Sequence, residues 1–246
     1  MTQHSFRNLK ITRGLTAVCT CVLLLVSVYS FSLGVQRSVF SSKKVMSNNA
    51  SSGRVIIIDP GHGGEDGGAQ SESGILEKHI NMSISNYLNE FFSFFGYDTV
   101  MTRTDDRLIY DSGCNTIREK KVSDIHNRMT ILENNPDAVF LSIHQNHYDG
   151  SSCRGTQVFY SGNNDRSERI AQSIQETVVA DIQQDNKRKI KKSGSEIYLL
   201  CHAKCPAVMV ECGFLSNPEE AQKLSTEEYQ KIMAFEIFKG TINSGG

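Results

Sequence analysis

Two rhythms of apolar positions run along the chain. Unbroken runs at Val55–Ile58, Ala138–Ile143 and Ala207–Val210 read as buried strands, and Tyr97–Thr102, Gly155–Ser161 and Ile197–Leu200 read as three more. Between them, spacings of three and four predict helices. Ile80, Ile84, Tyr87, Leu88, Phe91 and Phe95 mark one that opens near Glu77 and stops at Gly96. Ile125, Met129 and Leu132 mark a shorter one, broken by Asn134-Asn135-Pro136, and residues 107–122 before it have no clear period and are expected to be irregular or helical. Ser167 looks like the N-cap of a helix carrying Ile170, Ile174, Val178 and Ile182. Asn217-Pro218 begins a further helix, and Ser225–Glu228 reads as a capping box for the last. Strands alternating with helices predict an α/β domain: a twisted, mostly parallel sheet of about six strands with helices on both faces.

The first 53 residues have a different pattern. Residues 1–13 carry Arg7, Lys10 and Arg13 without an acid, and Gly14–Gln36 is an uncharged run centred on Leu23–Val26. A stretch longer than about 18 apolar residues behind basic residues is a membrane-helix candidate with a cytoplasmic start. Residues 1–37 therefore read as a cytoplasmic stub and transmembrane anchor, the rival being a signal peptide cleaved near Ser30-Phe31-Ser32. Residues 38–53, rich in Ser, Asn and Lys, read as a flexible linker, and 54–246 as the folded domain, at the cell membrane or exported and on the extracytoplasmic side.

Composition narrows the class only a little. In 246 residues, 39% are apolar, enough for an ordinary core. The net charge of -1 gives no electrostatic case for nucleic acid. Beyond the apolar N-terminal run stand five cysteines, Cys114, Cys153, Cys201, Cys205 and Cys212, a poor disulfide framework. Cys201 and Cys205 flank His202, but no matching pair stands elsewhere, and small buried residues are the plainer reading.

The candidate chemistry lies at the ends of three strands. The first runs into Pro60, Gly61, His62, Gly63 and Gly64; the second into His144, Gln145 and Asn146; the third into Glu211, Cys212 and Gly213. In open α/β sheets ligands bind beyond the carboxyl ends of the strands, so His62, His144 and Glu211 should converge there. Glu77, at the start of the first helix, can bring a carboxylate to the same point, although an acid in a helix's first turn is favourable on its own account. Two imidazoles and a carboxylate form the three-ligand site of a zinc hydrolase, with Glu211 left as general base. His4, His79, His126, His147 and His202 read as ordinary surface or core residues.

Four motifs in order carry a family resemblance: Asp59-Pro-Gly-His-Gly-Gly64 with Asp66 and Ala69; Gly74 with Glu77-Lys78 and Asn81; Ser142–Asn146; and Pro206–Pro218. With them the chain resembles the zinc-dependent N-acetylmuramoyl-L-alanine amidases of the Amidase_3 type, and most of all sporulation members that join a short membrane segment to a bare catalytic domain. The resemblance implies Zn2+ held by His62, Glu77 and His144, catalysis by Glu211, and peptidoglycan as substrate. The bond cleaved would join N-acetylmuramic acid to L-alanine, preparing spore cortex for muramic δ-lactam formation. Asp66, Asn146 and Ser142 are candidates to orient the imidazoles, Arg128 and Asn134 also fit the family's spacing, and Gln145 stands where the family usually carries a small residue. No wall-binding module accompanies 54–246, so the resemblance implies targeting by the anchor, by an accessory sporulation protein, or by the basic run Lys187–Lys192, a solvated stretch unless it meets an anionic wall polymer. The competing readings are a zinc peptidase acting on the stem peptide and an inactive or partner-dependent wall-binding domain.

Overall fold

The computed structural model describes residues 55–245, so the stub, anchor or signal peptide and linker expected over 1–53 lie outside the described residues. In chain order the elements are β1 (Val55–Pro60), α1 (Glu77–Phe94), β2 (Asp98–Met101), α2 (Ile117–Glu133), β3 (Val139–Asn146), β4 (Gln157–Tyr160), α3 (Asp165–Asp181), β5 (Lys191–Lys192), α4 (Tyr198–His202), β6 (Ala207–Phe214), α5 (Pro218–Leu224) and α6 (Glu227–Asn243). They build one six-stranded sheet in the order β2-β1-β3-β6-β4-β5. The pairings β1–β2, β1–β3, β3–β6 and β4–β5 are parallel, and β4–β6 is antiparallel, which makes the sheet mixed. No described helix is long and apolar enough to cross a membrane.

Strand periodicity divides the core between the two faces. Ile56, Ile58, Val139, Leu141, Val208 and Val210 point to the face covered by α1, α3 and α6, while Ile57, Phe140, Ala207 and Met209 point to the face covered by α2 and α4. Successive side chains alternate, so Asp59, Ser142, His144 and Glu211 follow the second set. α1 presents Ile80, Ile84, Leu88 and Phe92, each buried, to the first face. A fully buried side chain of this size contributes roughly 1.5–3 kcal/mol. Gly96, at φ 84, closes α1 in the left-handed turn that only glycine adopts easily.

Several expectations need correction. Ile197–Leu200 is not a strand: Tyr198–His202 forms α4 and buries Leu199 and Leu200 against the second face. A four-residue apolar run has no period that separates the two states. The sixth strand is instead Lys191–Lys192 within the basic run, placed at the sheet edge where charge discourages pairing with another chain. α3 is capped by Asn164 rather than Ser167, whose hydroxyl accepts from Ala207 N and ties the helix to β6. Thr226, not Ser225, caps α6, because the Ser225 hydroxyl is engaged with Gln222 O at the end of α5. α2 starts at Ile117, well before Ile125, on a capping box between Thr116 and Glu119.

Candidate metal centre

β1 and β3 are neighbours at the point where the connections reverse direction, α1 lying on one face of the sheet and α2 on the other. That is where an open α/β sheet leaves a crevice at the strand ends. His62 sits on the loop after β1 at φ 60, a conformation uncommon for a side-chain-bearing residue. The loop is held in that shape from below. Arg128 donates to His62 O at 2.9 Å and to Pro60 O at 2.8 Å, and Arg103 donates to Pro60 O at 3.0 Å and Gly61 O at 2.9 Å.

Three side chains meet above this floor. Glu77, the first residue of α1 and only 3% exposed, faces His62 Nε2 with Oε2 at 3.2 Å and His144 Nδ1 with Oε1 at 2.9 Å. The ligand atoms of His62, Glu77 and His144 all lie within 4.8 Å of one another. Donors around a tetrahedral zinc stand roughly 3.3 Å apart, given bonds of about 2.0–2.1 Å. Donor chemistry and spacing therefore both fit a divalent ion. Among the described residues, no other group of His, Cys, Asp or Glu is arranged in this way, Cys201, His202 and Cys205 included.

Two glycines make room for the cluster. A Cβ on Gly61 would stand 2.3 Å from the His144 ring, and one on Gly68 would stand 2.6 Å from both Glu77 Oε2 and His62 Cδ2. The carboxylate of Glu77 is further fixed by Ala69 N at 2.8 Å, Gln145 N at 3.0 Å and Asn81 Nδ2 at 3.1 Å. Gln145 also donates to Asn81 Oδ1, so it braces the carboxylate through both backbone and side chain, a role its place in the sequence did not suggest.

Asp66 meets His62 Nδ1 at 2.8 Å, which turns Nε2 toward Glu77. Burial opposes charge on His62, yet the hydrogen bonds and charges of Asp66 and Glu77 outweigh it and raise the imidazole to about 9. The carboxyls of Asp66 and Glu77 are correspondingly held below the ordinary range, against the penalty of burial. Ser142 and Arg128 do not reach an imidazole. Both converge on Asp59, Ser142 Oγ at 2.7 Å and Arg128 Nη1 at 2.6 Å, joined by Thr102 Oγ1 at 2.6 Å. Asn146 pairs with Phe214 in the sheet, and its side chain makes no hydrogen bond to His62 or His144. Asn134 is the C-cap of α2.

Glu211 lies opposite His144 in the β3–β6 register and opposite Gln157 in the β4–β6 register. Its Oε2 is buried with no hydrogen-bond partner. Burial pushes this carboxyl up to about 7, with His144 opposing the rise and Glu77 adding to it. Beside the cluster a cavity of about 260 Å³ opens between His62 and His144 and an apolar wall of Ile125, Tyr198, Leu199 and Met209. The arrangement combines a metal-type donor set, a carboxyl poised near neutrality and a pocket for a substrate group.

Known proteins share this architecture. A family model described as Amidase_3, N-acetylmuramoyl-L-alanine amidase, matches residues 56–243. The germination-specific N-acetylmuramoyl-L-alanine amidase of Bacillus subtilis (strain 168) is 31% identical over 221 residues, covering 87% of this chain and 92% of that protein. The CwlD amidase from Clostridioides difficile, solved in complex with the GerS lipoprotein, is 35% identical with a TM-score of 0.75 over 78% of this chain and 98% of that chain. AmiC2 of Nostoc punctiforme, an N-acetylmuramoyl-L-alanine amidase, is 28% identical with a TM-score of 0.65 over 77% of this chain and 96% of that chain. From its motifs, its sheet and these relatives, the chain belongs to the Amidase_3 family of N-acetylmuramoyl-L-alanine amidases, enzymes of peptidoglycan.

Proposed function

We propose that this protein is a zinc-dependent amidase that cleaves the bond between the lactyl group of N-acetylmuramic acid and L-alanine, acting in spore cortex maturation and preparing muramic acid for δ-lactam formation. The observation that carries the reading is the buried, unpartnered Oε2 of Glu211 beside the His62–Glu77–His144 cluster. A buried carboxyl without a partner costs free energy unless it has work to do on a bound group. His62, Glu77 and His144 would hold the ion, and Asp66 would keep His62 in the tautomer that presents Nε2.

Bound there, zinc would lower the pKa of a water toward about 7 and polarise the scissile carbonyl. Glu211 takes the proton from the attacking water and returns it to the leaving nitrogen, which departs poorly until protonated. The cortex role is supported by likeness to the germination-specific enzyme. An accessory protein is needed for full activity, an inference supported by the complex of the similar CwlD amidase with a lipoprotein. The catalytic domain works on the extracytoplasmic side, attached through residues 1–37.

The test is metal content. The full chain, purified in detergent, stripped and reloaded, is expected to hold about one zinc per chain, and His62→Ala or His144→Ala to lose it. A wild-type chain that holds no zinc, or variants that retain it, would contradict the assignment.

A further inference from the structure

A cavity of about 580 Å³ stands apart from the one at the metal cluster. Its charged wall sets Arg154, Lys187, Arg188 and Lys223 against Asp185, Glu219 and Glu220. It is linked to the site through the β4–β6 pairing. Gln157 is the β4 partner of Glu211 and its Oε1 accepts from Arg188 Nη1 at 3.5 Å, while Gln157 Nε2 donates to Lys189 O at 2.9 Å. Three residues beyond Glu211, Phe214 carries the Arg188 guanidinium over its ring at 4.3 Å. The strand bulges on the way, His144–Asn146 in β3 standing against Glu211–Phe214 in β6, and a bulge re-aims side chains at a sheet end.

Arg188 is thus fixed at three points: Nε to Arg154 O at 2.8 Å, Nη1 to Gln157, and the ring of Phe214. Among the described residues it forms no salt bridge, whereas Arg154 is matched by Asp185 at 2.7 Å. The nearby carboxylate of Glu220 is taken up by the backbone N–H groups of Gly155 and Phe214. The Arg188 charge acts on Glu220 without closing a salt bridge to it, and a guanidinium held in place with its fork unclosed is preorganised for a further carboxylate, since that fork matches carboxylate geometry and its ordering cost is already met.

The substrate class decides which part can fill that position. The sugars flanking the scissile amide carry no charge, and the muramic carboxyl is consumed in the amide itself. The free carboxylates belong to the peptide. Resting on the amidase reading, we infer that Arg188 is a specificity-determining residue that binds a carboxylate of the stem peptide in this cavity. The basic run in the sequence thereby contributes one aimed cation, with Lys187 beside it in the cavity wall.

The experiment compares two soluble muropeptides, one with its peptide carboxylates free and one with them amidated. Equilibrium binding is measured on the full chain carrying Glu211→Gln, with Arg188 intact, Arg188→Ala or Arg188→Lys, and peptide release is measured with Glu211 intact. Arg188 is expected to favour the free-carboxylate substrate about tenfold or more, the strength of a charge-assisted hydrogen bond. Arg188→Ala should abolish that preference while leaving affinity for the amidated substrate unchanged, and Arg188→Lys should restore part of it. Equal weakening toward both substrates, or a preference that survives Arg188→Ala, overturns the inference. Discrimination in binding without peptide release speaks against the amidase reading alone, and release without discrimination speaks against Arg188 alone.

Discussion

Asp59 and Arg128, 69 residues apart in sequence, form an ion pair of 2.6 Å under the loop that carries His62. Both are almost fully buried, and the same guanidinium reaches Pro60 O and His62 O. Removing one partner of a buried pair leaves a charge without solvation, at a cost of about 3–5 kcal/mol. Arg128→Met is therefore expected to destabilise the domain by that order and to loosen the His62 loop. Urea unfolding checks it, and a loss under about 1 kcal/mol would remove Arg128 from the loop's support.

The same pair sets a pH window. Burial penalises the Asp59 carboxylate, but Arg128, Thr102 and Ser142 outweigh the penalty and hold its pKa below the ordinary 3.8. A carboxyl depressed on folding contributes stability that is complete above its unfolded value and is lost as pH falls through the folded one. Unfolding free energy should thus acquire a falling component below about pH 4, reduced in the double variant Asp59→Asn/Arg128→Met. An unchanged acid slope in that variant would contradict the assignment.

Gly68 stands at φ 68 with no room for a side chain against Glu77 and His62. Gly68→Ala meets both strain in the left-handed region and a clash with two donors. Zinc affinity is expected to fall by at least about tenfold, beyond any loss of fold stability. Chelator competition measures the first and thermal unfolding the second; intact affinity would show that the cluster yields at no cost.

Asp66 touches His62 only at Nδ1, the nitrogen turned away from Glu77. Asp66→Asn keeps the shape and removes the charge. Partners of this kind are worth about 10–100-fold in metal affinity or activity, and a loss of that size is expected in chelator competition. Wild-type affinity in the variant would reduce Asp66 to a partner of Lys121, which it also meets at 3.0 Å.

What the sequence made legible follows from how each feature is encoded. Long apolar runs before His62, His144 and Glu211 identify their strands, and strand alternation alone puts His144 and Glu211 on one face. Glu77 is legible because it opens an amphipathic helix. The floor of the site was not. Arg103 is 2% exposed yet reads as a polar loop residue, because a buried arginine is satisfied by distant carbonyls that no local pattern records. Ser142 and Arg128 were seen as candidates, but their partner, Asp59, is known only once β1, β3 and α2 are assembled. α4 and β5 were missed because short elements take their state from the sheet they pack on.

The central claim is amide hydrolysis with Glu211 as the proton carrier, and the direct measurement is product analysis on peptidoglycan. The full chain is incubated with intact wall, with added zinc or with chelator, beside the Glu211→Gln variant, and soluble products are read by mass spectrometry. The account predicts free stem peptides beginning with L-alanine, absent with chelator and slowed by about 10²–10⁴ in Glu211→Gln while that variant still binds zinc. Cleavage within the peptide, release that ignores the chelator, or a Glu211→Gln chain of wild-type rate would contradict it.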